Sequence, residues 1–284
     1  MTEIRALLPL FRRASAEWVK DNAPRLAAAV AFYVLLSLAP VVVIAIAVAG
    51  MVYGPEAARG LLASEIQGMA GPYVARTIQE IARSAYQPRT GAIATVLGLA
   101  TLSFSASSIF VELHDAMNTI WDVPSPVNRS HSATIVHLIV DRFYSFAVVL
   151  GIGLLLLISL VWNAWTVAMR INVPRAATLL VLYLLIAALF AALYRVLPDV
   201  PVTWSDVASG ALLTSLLFLI GTQLMGLYFA HAAFGSTYSS IGAPIVVLLW
   251  IYYSAQLFFW GAEFSKVYQE TLGSQSKLAK RSRT

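Results

Sequence analysis

Hydrophobic residues are grouped along this chain in long blocks that short polar segments separate. The longest uncharged block is 207–262, which contains no Asp, Glu, Lys or Arg. A helix needs about 20 apolar residues to cross a hydrocarbon core of roughly 30 Å. The block holds two such stretches, 207–230 and 243–262, joined by a short turn of small and hydroxyl residues. It therefore predicts a hairpin of two transmembrane helices.

Four further apolar blocks precede this hairpin. They are residues 26–52, 91–111, 143–169 and 176–196. Together with the hairpin they predict a six-helix transmembrane domain over residues 26–265. Residues 1–25 mix apolar and charged positions in the manner of an amphipathic surface helix, and residues 53–90 repeat apolar positions at helical spacing. We therefore predict an all-α polytopic membrane protein with amphipathic helices outside its six spans.

Basic residues predict the orientation of these spans. If both termini lie in the cytoplasm, thirteen of the nineteen Lys and Arg residues fall on the cytoplasmic side and six fall outside. Cytoplasmic loops carry the excess of basic residues in membrane proteins. We therefore expect a multi-pass membrane protein with an amphipathic cytoplasmic N-terminus, an extracytoplasmic helical loop at 53–90 and a basic cytoplasmic tail at 266–284.

Composition supports the membrane class and narrows the partners. Hydrophobic residues make up 59% of the chain and charged residues 12%, which is not the composition of a soluble domain. The net charge is +5, but the basic residues gather near the two ends, which is typical of contact with anionic lipid. We expect membrane lipids as partners and no nucleic acid. The sequence indicates neither protein partners nor an oligomeric state.

No catalytic residue, cofactor site or metal site is predicted. The chain has no cysteine, and its four histidines lack the spacing of metal ligands. Motifs for nucleotide binding or a nucleophilic serine are missing from the sequence. The nearest acidic cluster is Glu112, Asp115 and Asp122 beside His114, and its spacing is typical of the solvated face of an amphipathic helix. We therefore expect a protein that is not an enzyme.

Several short motifs, taken in order, resemble one family. They are Ala31-Phe32-Tyr33 with Ser37 to Pro40, Ala116 to Trp121, Leu197-Pro198-Asp199 with Trp204 and Asp206, Tyr238 to Ala243 with Trp250, and Gly261-Ala262-Glu263. From about Trp18 to Tyr268 the chain resembles the YihY/BrkB membrane proteins of bacteria, which once carried the name ribonuclease BN. The resemblance implies an inner-membrane protein of six helices, with names linked to virulence and serum resistance. Envelope lipid transport has been suggested for relatives.

Two functions fit these observations. The leading hypothesis is transport or handling of a lipid or another amphiphile of the cell envelope, because uncharged polar residues lie at membrane depth and no acidic residue lies in the middle of a span. The alternative is a scaffold that transports nothing and anchors envelope proteins. Ribonuclease activity is not expected, because a nuclease needs a carboxylate cluster for metal ions or an acid and base pair.

Eleven residues are candidates for structural or transport roles. They are Ser37, Pro40, Asn118, Trp121, Arg142, Arg195, Asp199, Asp206, Tyr238, Trp250 and Glu263. Pro40 predicts either a fixed bend or a moving hinge in the first span.

Two local expectations concern the hairpin. Asp206 and Glu263 should lie at one membrane level, and Glu263 should either pair with Arg142, Arg195 or Lys266 or reach headgroup water. Small residues on one face of the fifth helix should allow another helix to approach closely. That face carries Gly210, Thr214, Leu217 and Gly221.

Overall fold

The structure is a computed structural model that describes residues 2–53, 60, 64, 67, 75–76, 78–80, 109–123, 174–231 and 242–273. The predicted span 143–169, most of the span 91–111, and the candidates Arg142 and Tyr238 lie outside these residues. Within the described residues every regular element is helical. The predicted all-α class is therefore confirmed for this part of the chain.

Six helices cover most of the described residues. They are α1 (Thr2–Lys20), α2 (Ala23–Tyr53), α3 (residues 109–120), α4 (Arg175–Val196), α5 (Trp204–His231) and α6 (Gly242–Thr271). The described positions of the predicted outer loop 53–90 are helical as well.

Three of these helices are long and apolar enough to cross a membrane. The stretches concerned are Ala176–Val196, Trp204–Tyr228 and Ile245–Thr271. They coincide closely with the predicted spans 176–196 and 207–230 and contain most of 243–262. Helix α2 covers the predicted span 26–52 without interruption at Pro40. Large apolar side chains are exposed along α4 and α5, as expected for lipid contact. They include Leu179, Leu180, Leu184, Leu212, Leu216, Ile220 and Leu224.

Helix α6 is longer than the sequence predicted. The predicted span 243–262 ends just before Glu263, but α6 continues to Thr271. Residues 261–267 are all buried, because other helices surround this part of α6. A charged residue therefore marks neither the end of the helix nor the surface of the protein.

Two helix ends are stabilised by residues in the left-handed conformation. Asn22 has φ 53° between α1 and α2, and Asp122 has φ 50° after α3. Asn and Asp tolerate this conformation better than other residues that have a Cβ atom. After α3, the amide of Val123 bonds the carbonyl oxygen of Asn118 at 2.9 Å and that of Asp122 bonds Thr119 at 3.1 Å. This pattern is a Schellman end, which fixes where Asp122 points.

Helix α5 begins with a side-chain pair, Thr203 and Asp206, at the spacing of a capping box. The Thr203 hydroxyl donates to Asp206 Oδ2 at 2.6 Å, and the Asp206 amide bonds the Thr203 carbonyl oxygen at 3.1 Å. The two residues therefore do interact, but through hydroxyl and carboxylate rather than through the reciprocal backbone bonds of a capping box. Asp206 is 1% exposed.

The described contacts divide the chain into two compact units. Unit 1 takes its described residues from Met1–Leu26, Val111–Leu219 and Gln256–Thr284, and unit 2 from Ala27–Phe110 and Ile220–Ala255. In unit 2 the core contains Ala31, Ile78, Val246, Val247 and Ile251. Unit 1 contains an aromatic cluster of Phe190, Tyr194 and Phe258, with ring centroids 5.0 to 6.2 Å apart.

Candidate functional site

The candidate site surrounds residues 261–267 of α6, which we call the buried segment. All seven residues are buried, although the segment contains Glu263, Ser265 and Lys266. A helix that is buried on all sides normally carries apolar residues all round. Polar and charged residues kept at such positions need a structural or functional explanation.

One side of the buried segment contacts α5 closely. Gly210 of α5 faces Gly261 and Ser265, and Gly261 faces Thr214 and the Tyr194 hydroxyl. The Tyr194 hydroxyl donates to the Phe258 carbonyl oxygen at 2.7 Å and lies 3.0 Å from Thr214 Oγ1. Small residues thus allow the backbones to approach, as the sequence predicted for the face that carries Gly210 and Thr214.

A second side of α6 packs on α1. Phe264 and Val267 form an apolar cluster with Leu10 and Ala14. Polar contacts add to it at both ends, since Trp260 Nε1 donates to Ser15 at 3.1 Å and Arg13 pairs with Glu270. Helix α1 is therefore held against the buried segment.

The third side of the segment carries its two charged residues, Glu263 and Lys266. The Lys266 ammonium pairs with the Asp122 carboxylate at the end of α3. Glu263 is 0% exposed, and neither of its carboxylate oxygens has a hydrogen-bond partner among the described residues. The left-handed turn at Asp122 thus supplies the partner of the lysine, while the glutamate remains without one.

Asp21 is the charged group that acts most strongly on Glu263. Its carboxylate lies within hydrogen-bonding reach of the Glu263 carboxylate. One Asp21 oxygen is also buried without a hydrogen-bond partner in the described part of the chain. Asp21 is placed here by the tight turn between α1 and α2, where its amide bonds the Glu17 carbonyl oxygen at 2.8 Å. Two acidic groups therefore meet at the buried segment.

A neighbouring acid, Glu17, forms an ion pair with Lys20. Lys20 Nζ donates to Glu17 Oε2 at 2.6 Å. This hydrogen bond and the charge of Lys20 lower the pKa of Glu17, against a smaller opposing effect of desolvation. Glu17 therefore carries its negative charge beside its own cation, Lys20, which is exposed to solvent.

A separate polar network joins α3 to the turn before α5. Asn118 Nδ2 donates to Asp199 Oδ2 at 2.9 Å, and the Asp199 amide donates to Asn118 Oδ1 at 2.9 Å. His114 Nε2 lies 3.2 Å from Asp199 Oδ1. Two predicted candidates, Asn118 and Asp199, are thus brought together, with His114 as a third member that the sequence did not indicate.

The remaining described candidates are found in both units. The Arg195 guanidinium lies 4.4 Å from the ring centroid of Trp204. Trp121 is buried, with 8% of its surface exposed. In unit 2, the Ser37 hydroxyl donates to the Val34 carbonyl oxygen at 2.9 Å. Pro40 and Trp250 also belong to unit 2.

Within the described residues, Glu263 forms no ion pair with Arg195 or Lys266, and its side chain is buried rather than exposed to water. Arg142, the third expected partner, lies outside these residues. Asp206 lies beside Gly273, and Gly210, one turn further along α5, faces the residues on either side of Glu263.

No group of three or more His, Asp or Glu side chains is placed to hold a metal ion within the described ranges.

The chain matches the family model described as "Virulence factor BrkB" over residues 14–284. The chain belongs to the BrkB virulence-factor family. The resemblance that the sequence motifs carried is therefore confirmed.

Relatives of this BrkB chain are named as membrane proteins. A UPF0761 membrane protein of Tolumonas auensis is 27% identical over 60% of this chain and 56% of its own length. A UPF0761 membrane protein of Azoarcus sp. is 28% identical over 84% of this chain and 58% of its own length. A UPF0761 membrane protein of Psychromonas ingrahamii is 24% identical over 95% of this chain and 89% of its own length. The chain thus spans little more than half the length of the first two. No solved structure matches it.

Several residues that matter in this BrkB site were not indicated by the sequence. Asp21, Tyr194 and the Lys266 contact with Asp122 depend on parts of the chain that lie far apart in sequence. Asp122 was assigned to a solvated face, which its 62% side-chain exposure supports, but its carboxylate binds a buried lysine. Helix periodicity describes one helix at a time and cannot indicate such partners.

Proposed function

We propose that this BrkB-family membrane protein transports or handles a lipid or another amphiphile of the cell envelope. The main support is Glu263, an ionisable residue buried in the long apolar helix α6 without a partner among the described residues. Ionisable groups in membrane spans are costly and are typically kept for binding or transport. A scaffold that only anchors other proteins has no use for such a residue.

Helices α4 and α5 support an amphiphilic substrate. They expose apolar side chains along their length, while their buried faces carry Thr214, Ser215 and Tyr194. An amphiphile needs an apolar surface for its chains, and the exposed sides of these two helices provide one.

Reconstitution tests the proposed function. The purified full chain is inserted into liposomes that contain a phospholipid with a fluorescent headgroup, and an impermeant quencher is added outside. We expect the protein to increase the fraction of lipid that becomes quenched several-fold over protein-free liposomes. Glu270→Gln, at a solvent-exposed ion pair, should act like the wild type. Quenching equal to that of protein-free liposomes would favour the scaffold.

We further propose that both termini lie in the cytoplasm of a bacterial inner membrane, as the basic residues indicate. Because the chain has no cysteine, single cysteines can be introduced without background. Ser64→Cys should react with an impermeant maleimide in intact cells, and Ser276→Cys should react only after lysis. The opposite labelling pattern would show that the topology is inverted, with both termini outside the cytoplasm.

A further inference from the structure

Asp21 and Glu263 cannot form a hydrogen bond with each other while both carboxylates are ionised. An ionised carboxylate only accepts hydrogen bonds, so two ionised carboxylates side by side cannot bond to each other. Both oxygens of Glu263 and one of Asp21 are buried without a donor among the described residues. One proton would change this, because a carboxylic acid donates one hydrogen bond.

We propose that Asp21 and Glu263 form a proton-binding site, which holds a single proton between the two carboxylates in the folded protein. The proton is carried on one carboxyl oxygen and donated to an oxygen of the other residue. It comes from water and returns to water, so no other reactant is consumed. One negative charge is then left on the pair instead of two.

The burial of Glu263 supports this assignment. Transfer of an isolated ionised carboxylate into a protein interior is strongly unfavourable, and buried acids are commonly neutral for this reason. Two acids that share a site repel each other when both are ionised, so that one of them holds its proton more tightly. Both effects act at Glu263, which is 0% exposed and faces Asp21.

The other charged and titratable groups around the buried segment have partners of their own. They are Glu17 with Lys20 on α1, Lys266 on α6 with Asp122 after α3, Tyr194 of α4 with Phe258 and Thr214, and Asp206 of α5 with Thr203. Lys266 is the cation that acts on Glu263 from the same helix. Its ammonium also pairs with Asp122, so it reduces but does not cancel the negative charge left on the pair.

The site suggests how transport could be driven, and this step rests on the proposed function. Asp21 lies at the turn between α1 and α2, whereas Glu263 lies on α6. Loss of the shared proton would make the two carboxylates repel each other and would weaken the contact between these elements. The protonation itself can be measured on the purified protein without any transport assay, so the two proposals can fail separately.

Infrared spectroscopy of the purified full chain tests the proton directly. A protonated carboxylic acid has a C=O stretching band that an ionised carboxylate lacks. We expect this band in the wild type at neutral pH, its loss in Glu263→Gln, and no change in Glu270→Gln. A neutral-pH spectrum with no such band in the wild type would overturn the proposal.

Thermal unfolding as a function of pH provides a second test. From about pH 5 to about pH 9 the unfolded chain has released its carboxyl protons while the folded pair keeps the shared one, so the stability of the wild type should fall as the pH rises. Over this range we expect the unfolding temperature of the wild type to fall by about 3 to 6 °C more than that of Glu263→Gln. The amide of that variant donates a hydrogen bond to Asp21 at every pH, and Asp21→Asn should act similarly.

Two outcomes of this second test would contradict the proposal. Glu263→Gln could lower the unfolding temperature equally at every pH, which would indicate an ionised carboxylate with a structural partner. Alternatively, replacing Na⁺ by choline could remove the stability difference between wild type and variant, which would indicate a bound cation rather than a proton. Measurement in both salts distinguishes these cases.

Discussion

Gly210→Ala should destabilise the protein by about 3 kcal/mol, at the upper end of the cost of overpacking a core. A Cβ atom at this position would overlap the Ser265 hydroxyl oxygen and come within 2.6 Å of the Gly261 carbonyl oxygen. The second contact is with backbone, so it can be relieved only by moving α5 away from α6. Thermal unfolding in detergent should show the loss, and Gly210→Leu should give little folded protein.

Two other glycines of α5 provide graded controls. A Cβ atom on Gly221 would contact the ring end of Tyr253, which can rotate away, so Gly221→Ala should cost about 1 kcal/mol. A Cβ atom on Gly226 meets nothing within 4 Å, so Gly226→Ala should be neutral or slightly stabilising through its better helix propensity. Equal losses at all three positions would show that helix propensity rather than the contact with α6 decides the outcome.

A compensating change tests the contact itself. Ser265→Gly removes the hydroxyl that meets the new methyl group but leaves the Gly261 carbonyl oxygen in place. The double variant Gly210→Ala, Ser265→Gly should therefore recover part of the lost stability and not all of it. Strictly additive effects would mean that residues 210 and 265 do not share this contact.

The membrane class of the fold could be predicted from the sequence because it depends on local composition. Uninterrupted apolar stretches predicted α4 and α5 to within a few residues, since the hydrocarbon thickness sets the length of a span. The end of α6 could not be predicted in this way. Whether Glu263 meets lipid, water or protein depends on α1, α3 and α5, which are distant in sequence.

The candidate site was predicted only in part, for the same reason. Asn118, Asp199 and Glu263 were selected from motifs, and the first two do bond to each other. The partners of Glu263 and Lys266 were missed, because a single sequence does not indicate which charged residues from different helices meet. Asp21 lies beside a helix break and Lys266 lies in an apolar helix, and neither position specifies a partner.

Asp122→Asn should destabilise the protein by about 2 kcal/mol, because it leaves the Lys266 ammonium buried without its carboxylate. The Lys266 side chain is 7% exposed, whereas that of Asp122 is 62% exposed. Removal of one partner of a fully buried ion pair costs about 3 to 5 kcal/mol, and the exposure of Asp122 reduces that cost. Asn keeps the shape of the side chain and tolerates the left-handed backbone at this position, so the change removes mainly the charge.

Lys266→Met and the double variant complete the cycle. Met preserves most of the apolar stem and removes the charge that needs a partner, so Lys266→Met should cost less than Asp122→Asn. Once residue 266 is uncharged, the change at Asp122 should have little further effect, and the double variant should unfold near the temperature of Lys266→Met. Glu270→Gln, which breaks the more exposed pair with Arg13, should cost less than about 1 kcal/mol. Comparable losses for Asp122→Asn and Glu270→Gln would mean that solvent screens both pairs alike, and that the charge of Lys266 does not need Asp122 to remain in the interior.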